Sequence, residues 1–289
     1  MPHPAISKPG NVAVVTGASL GGIGFETSLL LLQRYSLYVV LGDISKEGLE
    51  ETAKALVKAG VPEEQFSTRV TDVSDMKDVQ ELADSVFESK GRVDFLFLNA
   101  GIQLPSKSFG GDVDAWTKTL AVNLMGVVHG QQAFVERMVA HGAPAAVVVT
   151  GSKQGITNPP GNAAYNSSKS AVKSLTESLA HSLLSTQVTA HLLIPGWTWT
   201  KLAGGGPSPD NSQKPAAAWT AAQVAEELVS RLDEFYIVCP DNDVPWQLDQ
   251  ARMQYGLDDI LLKRPALSRW NPAYADQYNR FVEERLQKK

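Results

Sequence analysis

Asn11-Val12-Ala13-Val14-Val15-Thr16-Gly17-Ala18-Ser19-Leu20-Gly21-Gly22-Ile23-Gly24 is the stretch that decides the fold. Its first six residues form a short β-branched run, the pattern of a buried strand. A glycine-rich turn follows, and residues 25–34 read as helix. Strand, glycine turn and helix in that order make a dinucleotide site. Glycines let the backbone approach a pyrophosphate, and the helix N-terminus offers free N–H groups and the positive end of its dipole. A second apolar strand, residues 37–41, runs into Gly42-Asp43. A carboxylate there can accept hydrogen bonds from both adenosine ribose hydroxyls and repels a 2′-phosphate. No Arg or Lys lies between Thr16 and Phe25 to offset that repulsion, so the expected cofactor is NAD.

Further along, Tyr165-Asn166-Ser167-Ser168-Lys169 follows Ser152 by thirteen positions. A Tyr and a Lys four apart on a helix share one face. An ammonium beside a phenol favours the phenolate, and a free tyrosine, with a pKa of about 10, is otherwise a poor base at neutral pH. The pair is a candidate acid/base for a hydroxyl proton. Alone, Tyr-x-x-x-Lys also fits a surface helix pair, and the N-terminal motif is what gives it weight.

Together these residues resemble the short-chain dehydrogenase/reductase family in its common single-domain branch, over roughly residues 11–241. The phosphate loop is similar at Gly17, Ser19, Gly22, Ile23 and Gly24. Asp72-Val73 follows a third strand, residues 66–71, where the family places an Asp near the adenine. Asn99-Ala100-Gly101 ends a fourth strand, residues 93–98. Asn123 lies in a helical stretch, residues 112–139, where the family has an active-site Asn. Ser152 ends a fifth strand, residues 145–150, and Pro195-Gly196-Trp197-Thr198-Trp199-Thr200 follows a sixth, residues 188–194. The chain departs from the pattern in having four residues, 18–21, between Gly17 and Gly22, where three are usual. Leu98 and Gly151 also replace common family residues.

The resemblance implies a mechanism. Tyr165 exchanges a proton with the alcohol, Ser152 hydrogen-bonds the substrate oxygen, and Lys169 lowers the tyrosine pKa and holds the nicotinamide ribose. Asn123 supports a water that links Lys169 to solvent. Pro195, Gly196, Thr198 and Thr200 belong to the nicotinamide-side loop. Gln103, Gln154, Trp197 and Trp199 face the cleft and suit a cyclic or aromatic secondary alcohol or ketone. Lys153 is a candidate partner for a substrate carboxylate, unless it points to the opposite face. Two other classes stay open on the same fold: redox-neutral isomerase, lyase or cyclase chemistry, and a nucleotide sensor without turnover. The sensor needs none of Ser152, Tyr165, Lys169 or Asn123.

Composition agrees with this reading. The chain has 289 residues, 43% of them hydrophobic, and strand and helix alternate to about Cys239 without a long linker. This predicts a single α/β domain: a Rossmann-type doubly wound parallel sheet with helices on both faces, core 11–241, and a helical C-terminal extension, 242–289. A net charge of −5 with interspersed signs argues against nucleic acid. The one cysteine, Cys239, suits a reducing, cytoplasmic setting and a place in the last strand, residues 235–239. Residues 1–10 carry three prolines and no apolar segment, so no signal peptide is expected. No run of eighteen apolar residues occurs, so no membrane span is expected. The histidines 3, 129, 141, 181 and 191 lack ligand spacing, so no metal is expected.

Residues 204–215 have the composition of a mobile loop, which the resemblance implies covers the substrate, and residues 221–234 read as helix. Beyond 241, residues 245–263 and 272–287 read as helices opened by proline. Their aromatics, Trp246, Tyr255, Trp270, Tyr274, Tyr278 and Phe281, read as packing anchors against this subunit or a neighbour. In the helix 163–185, Val172, Leu175, Leu179 and Leu183 form an apolar stripe. The resemblance implies that this helix and 112–139 pair between subunits, as a homodimer or homotetramer.

Overall fold

A computed structural model describes residues 2–204 and 209–287. Seven strands form one sheet: β1 (Val12–Thr16), β2 (Tyr38–Asp43), β3 (Phe66–Val70), β4 (Phe95–Leu98), β5 (Ala145–Thr150), β6 (Val188–Ile194) and, after two short strands, β9 (Tyr236–Val238). Their order is β3-β2-β1-β4-β5-β6-β9, and every neighbouring pair is parallel. Parallel sheets need both faces covered, because their crossovers carry helices. The alternation of side chains along each strand meets that demand with apolar residues on both faces. Val12 and Val14 of β1 join Leu96, Leu98, Val147 and Val149 in one core layer. Ala13 and Val15 join Phe95, Phe97, Ala146 and Val148 in the other.

The first layer is closed by α4 (Met76–Lys90), α6 (Gly126–His141) and α8 (Ala163–Ser182), the second by α2 (Ile23–Tyr35), α3 (Lys46–Lys58) and α9 (Ala221–Ser230). A short α1 (Pro4–Ser7) buries Ala5 and Ile6 in the second layer. The stripe on α8 faces inward. Val172 and Leu183 are buried in the first layer, with Leu175 and Leu179 packed against it. The strand order reverses direction between β1 and β4, the crevice where doubly wound sheets hold their ligands.

The helix expected over 112–139 is two helices, α5 (Val113–Leu120) and α6, joined by a π turn at Ala121–Met125. Such turns are uncommon and recur at functional sites. A short helix, α7 (Gln154–Thr157), follows β5. Two further short strands, β7 (Thr198–Trp199) and β8 (Trp219–Thr220), pair in parallel and frame the region 204–215. In that region Gly205, Gly206, Pro207 and Ser208 lie outside the described residues. What is described there is tied down: the Trp199 indole N–H donates to Asp210 O at 3.1 Å, and Lys214 Nζ donates to Ala218 O at 2.5 Å.

The C-terminal segment folds as α10 (Trp246–Leu261) and α11 (Ala275–Gln287). Pro245 caps α10 from outside, and Pro272 opens a 3-10 turn before α11. Tyr255 anchors the pair. It is fully buried, edge-on to Tyr278 at 5.1 Å and Phe281 at 5.2 Å, with the Arg264 guanidinium 3.9 Å above it. Trp246 and Trp270 remain partly exposed.

Candidate active site

Gly17 has φ of +65°, and a Cβ there would lie 2.7 Å from Ala100 Cα. Only glycine fits this point, where the phosphate loop crosses the end of β4. Gly24 packs as tightly, since its Cβ would meet Gly17 O at 2.3 Å. Gly21 lies in the left-handed region against Pro209, and Gly22 is the N-cap of α2. Among the described residues no side chain caps that helix, and its first N–H groups have no side-chain partner there. Ser19 Oγ is buried without a partner among the described residues, and Ile23 packs against the second core layer. A cradle of backbone, free amides and an unpaired hydroxyl fits a pyrophosphate.

Asp43 stands at the end of β2. Its Oδ2 accepts the Ser19 N–H and its Oδ1 the Ser45 N–H, both at 3.0 Å. The carboxylate is thus aimed and braced by the loop it borders. Asp72 is held by Ser74, whose N–H and hydroxyl both donate to Oδ1. Val73 is buried against Gly126, and its carbonyl accepts from His129 Nδ1 at 2.9 Å. Asn99 is a cross-brace. Its amide donates to Thr16 O and Gly17 O, and its oxygen accepts from Thr150 Oγ1. Ala100 N–H donates to Thr16 Oγ1, so the ends of β1, β4 and β5 are stitched into one rim.

Ser152, Tyr165 and Lys169 meet at that rim. Tyr165 is 7% exposed and Lys169 4%. Burial pushes the Tyr165 phenol above its ordinary value, and the Ser152 hydroxyl, bonded to it, pulls the other way. Lys169 sits 5.7 Å from the Tyr165 ring centre and donates to Thr150 O at 2.7 Å. Burial alone lowers its pKa to about 8. Burial is the larger of the two effects on Tyr165, so the phenol stands above its ordinary value, the opposite direction from the one expected of a neighbouring ammonium.

Asn123 sits at the centre of the same region. It is fully buried in the π turn. Its oxygen accepts the Ile102 N–H, and its amide donates to Ile102 O and Ser168 Oγ. The side chain binds the turn after Gly101 to α8.

A cleft of about 880 Å³ opens beside this rim, lined by Gln103, Ser106, Lys107, Gln154, Trp197 and Leu202 among others. Gln103, Gln154 and Trp197 line it as the sequence suggests, while Trp199 turns away to Asp210. Gln154 N–H donates to Ser152 Oγ, which joins the cleft to the junction of Ser152 and Tyr165. Pro195 O accepts the Lys153 N–H; Thr198 Oγ1 donates to Gly196 O and Thr200 Oγ1 to Thr198 O. Lys153 is not free for a substrate carboxylate, because Asp241 and Asp249 occupy its ammonium.

Two features escape the sequence. Ser106, on the cleft wall, caps α8: its hydroxyl accepts the Ala164 N–H at 2.9 Å and its carbonyl the Ala163 N–H. The left-handed Asn162, with no cap bond of its own, is the local signal that α8 needs a remote cap. Asp241 and Asp249 carry no motif and are found only through the contacts of Lys153. Among the described residues no group of three or more His, Cys, Asp or Glu gathers as metal ligands do, and no helix is long and apolar enough to cross a membrane.

The family model described as short chain dehydrogenase matches residues 11–208. The chain is 33% identical over 231 residues to 1-deoxy-11-beta-hydroxypentalenate dehydrogenase of Streptomyces avermitilis, covering 78% of this chain and 83% of that protein. It is 35% identical over 198 residues to cis-4-hydroxycyclohexanecarboxylate dehydrogenase of Sinomonas cyclohexanicum, covering 68% and 77%. Among solved structures it resembles a short chain dehydrogenase/reductase from Burkholderia phymatum in complex with NAD. That match has a TM-score of 0.77 and 30% identity, and covers 89% of this chain and 96% of the other.

Proposed function

The chain belongs to the short chain dehydrogenase family, and from that premise we propose that it interconverts a secondary alcohol and a ketone on a small cyclic or aromatic molecule, with NAD as cofactor. The observation that carries this reading is the junction of Ser152, Tyr165 and Lys169 beside the cleft bordered by Gln154 and Trp197. The name of the Sinomonas relative places a hydroxyl on a cyclohexane ring, a secondary alcohol, which supports the substrate class. The choice of NAD rests on Asp43, whose carboxylate is braced at the end of β2 where a 2′-phosphate would meet it.

Bound nicotinamide would accept or donate the hydride. Gly17, Gly22 and Gly24 with the α2 N-terminus would hold the pyrophosphate, and Asp43 the adenosine ribose. Asp72 and Val73 border the adenine in this reading, and Asn99, Ala100 and Gly101 support the middle of the site. Pro195, Gly196, Thr198 and Thr200 would flank the nicotinamide. Ser152 donates to the substrate oxygen and fixes its place. Tyr165 gives that oxygen a proton in reduction and takes one in oxidation. The neutral phenol favoured by burial is the form competent for reduction. Lys169 has three N–H donors, of which Thr150 uses one, leaving others for a ribose hydroxyl.

Incubation with NAD and a panel of cyclic and aryl secondary alcohols, followed at the absorbance of reduced nicotinamide, tests the reading. The enzyme accumulates reduced cofactor in step with ketone, whereas a redox-neutral enzyme or a sensor does not. Tyr165→Phe should keep the fold and cost roughly 10² to 10⁴ in turnover. Equal efficiency with NADP would overturn the cofactor assignment, and near-normal turnover of Tyr165→Phe would overturn the acid/base.

A further inference from the structure

Lys153 follows Ser152 directly and is 8% exposed. Lysines are seldom buried this far unless paired. Its ammonium lies 2.5 Å from Asp249 Oδ2, on α10, and donates at 3.1 Å to Asp241 Oδ2, just past β9. The other Asp241 oxygen accepts the Trp197 N–H at 2.7 Å. That carboxylate rests against Gly196, where a Cβ would come within 1.7 Å of Oδ1. The backbone of Lys153 acts on the same loop, its N–H donating to Pro195 O at 3.0 Å. One residue next to Ser152 therefore grips the loop 195–197 directly and, through Asp241, indirectly. The same ammonium holds the first half of α10.

The chemistry of this cluster is not that of a stability device. Neither Asp249 oxygen has an aligned hydrogen-bond partner among the described residues. Charge holds that carboxylate, from Lys153 and, at 3.5 Å, from Arg252. Desolvation of a buried pair offsets most of its attraction, and packed apolar side chains of similar volume serve stability as well. What the charges add is direction. Asp241 must present one oxygen to an ammonium and the other to the Trp197 amide, which leaves the loop a single position. Trp197 and Gln154 both line the cleft, and Gln154 is the next residue after Lys153.

We propose that Lys153, Asp241 and Asp249 are a positioning network through which the C-terminal segment sets the place of Trp197 in the cleft, and so the fit of the substrate ring. The proposal rests on the reading of that cleft as the alcohol site. Asp249 touches neither Ser152 nor Tyr165, and its effect passes through Lys153 and Asp241.

The test uses the full chain with Asp249→Asn, which keeps shape and removes charge, and Asp249→Leu, which also removes the polar oxygens. Amide hydrogen exchange of residues 195–200 should accelerate by about tenfold or more in both, while α8 exchanges as in the parent. With the best alcohol of the panel, KM should rise by about tenfold and kcat change far less, because a misplaced wall loosens binding geometry before it alters proton transfer. The Kd for NAD should rise less than KM, because the loop 195–200 flanks only the nicotinamide end of the cofactor while the pyrophosphate and adenosine ribose are held elsewhere. Unchanged exchange at 195–200 in a variant that melts cooperatively overturns the network, as does a loss of kcat/KM that merely tracks the fraction folded. If Asp249→Leu does not fold, Asp249→Asn decides. If the parent oxidises no alcohol, the functional reading falls by the absorbance assay while the exchange measurement still judges the network.

Discussion

Lys169 has to be charged to assist a phenolate and is buried where charge is costly. Its pKa is lowered to about 8, from an ordinary 10.5, by burial. The folded chain therefore gives up this proton near pH 8, and the unfolded chain keeps it until about 10.5. Between those values the unfolded state binds more protons, so stability gained from this group rises with pH across that window. Below pH 8 the buried charge costs up to roughly 3 kcal/mol, a cost that has vanished above 10.5. Lys169→Met removes the titration. The melting temperature of the parent, measured against the variant, should climb from pH 8 to 10.5. A flat difference across that range would mean that Lys169 is solvated in the ligand-free chain.

At the scale of elements, the helix that carries Tyr165 and Lys169 depends on a distant strand-end loop. Ala163 and Ala164, the first residues of α8, donate to the carbonyl and hydroxyl of Ser106, and no residue of α8's own approach supplies a cap. Ser106→Ala should lower stability by about 1 kcal/mol, the usual worth of an N-cap hydroxyl. Such a loss is a fall of about 2–4 °C in melting temperature for a chain of this order of size. A calorimetric scan showing no fall would mean that water or Asn162 caps the helix as well. The π turn around Asn123 is a second case. Its run of residues reads as unbroken helix from periodicity. The amide of Asn123 is drawn instead into bonds with Ile102 and Ser168, which sequence spacing does not display.

For the whole molecule the family membership carries an expectation of assembly. The apolar stripe of α8 is not the means, because it faces the core. We predict that light scattering coupled to size exclusion will find a particle two or four times the 31.2 kDa chain. A mass equal to one chain at micromolar concentration would set the prediction aside.

The sequence by itself determined the sheet and the residues of the candidate site. Residues 12–16 and 145–150 are apolar at every position but a final Thr, and 188–194 at all but Thr189 and His191. A strand buried on both faces leaves no other choice, so their pattern is readable one residue at a time. Gly17, Gly24, Ser152, Tyr165 and Lys169 were legible because each lies within a few residues of a strand end or on one helix turn. The tertiary structure alone decided what depends on desolvation and on partners far apart in the chain. It set the direction of the Tyr165 pKa, which is governed by how much water the fold excludes. It filled the donors of Asn123. It brought Lys153 to Asp241 and Asp249, 88 and 96 positions away. Charges that meet only after folding leave no spacing to read, since nothing in the local chain fixes their distance.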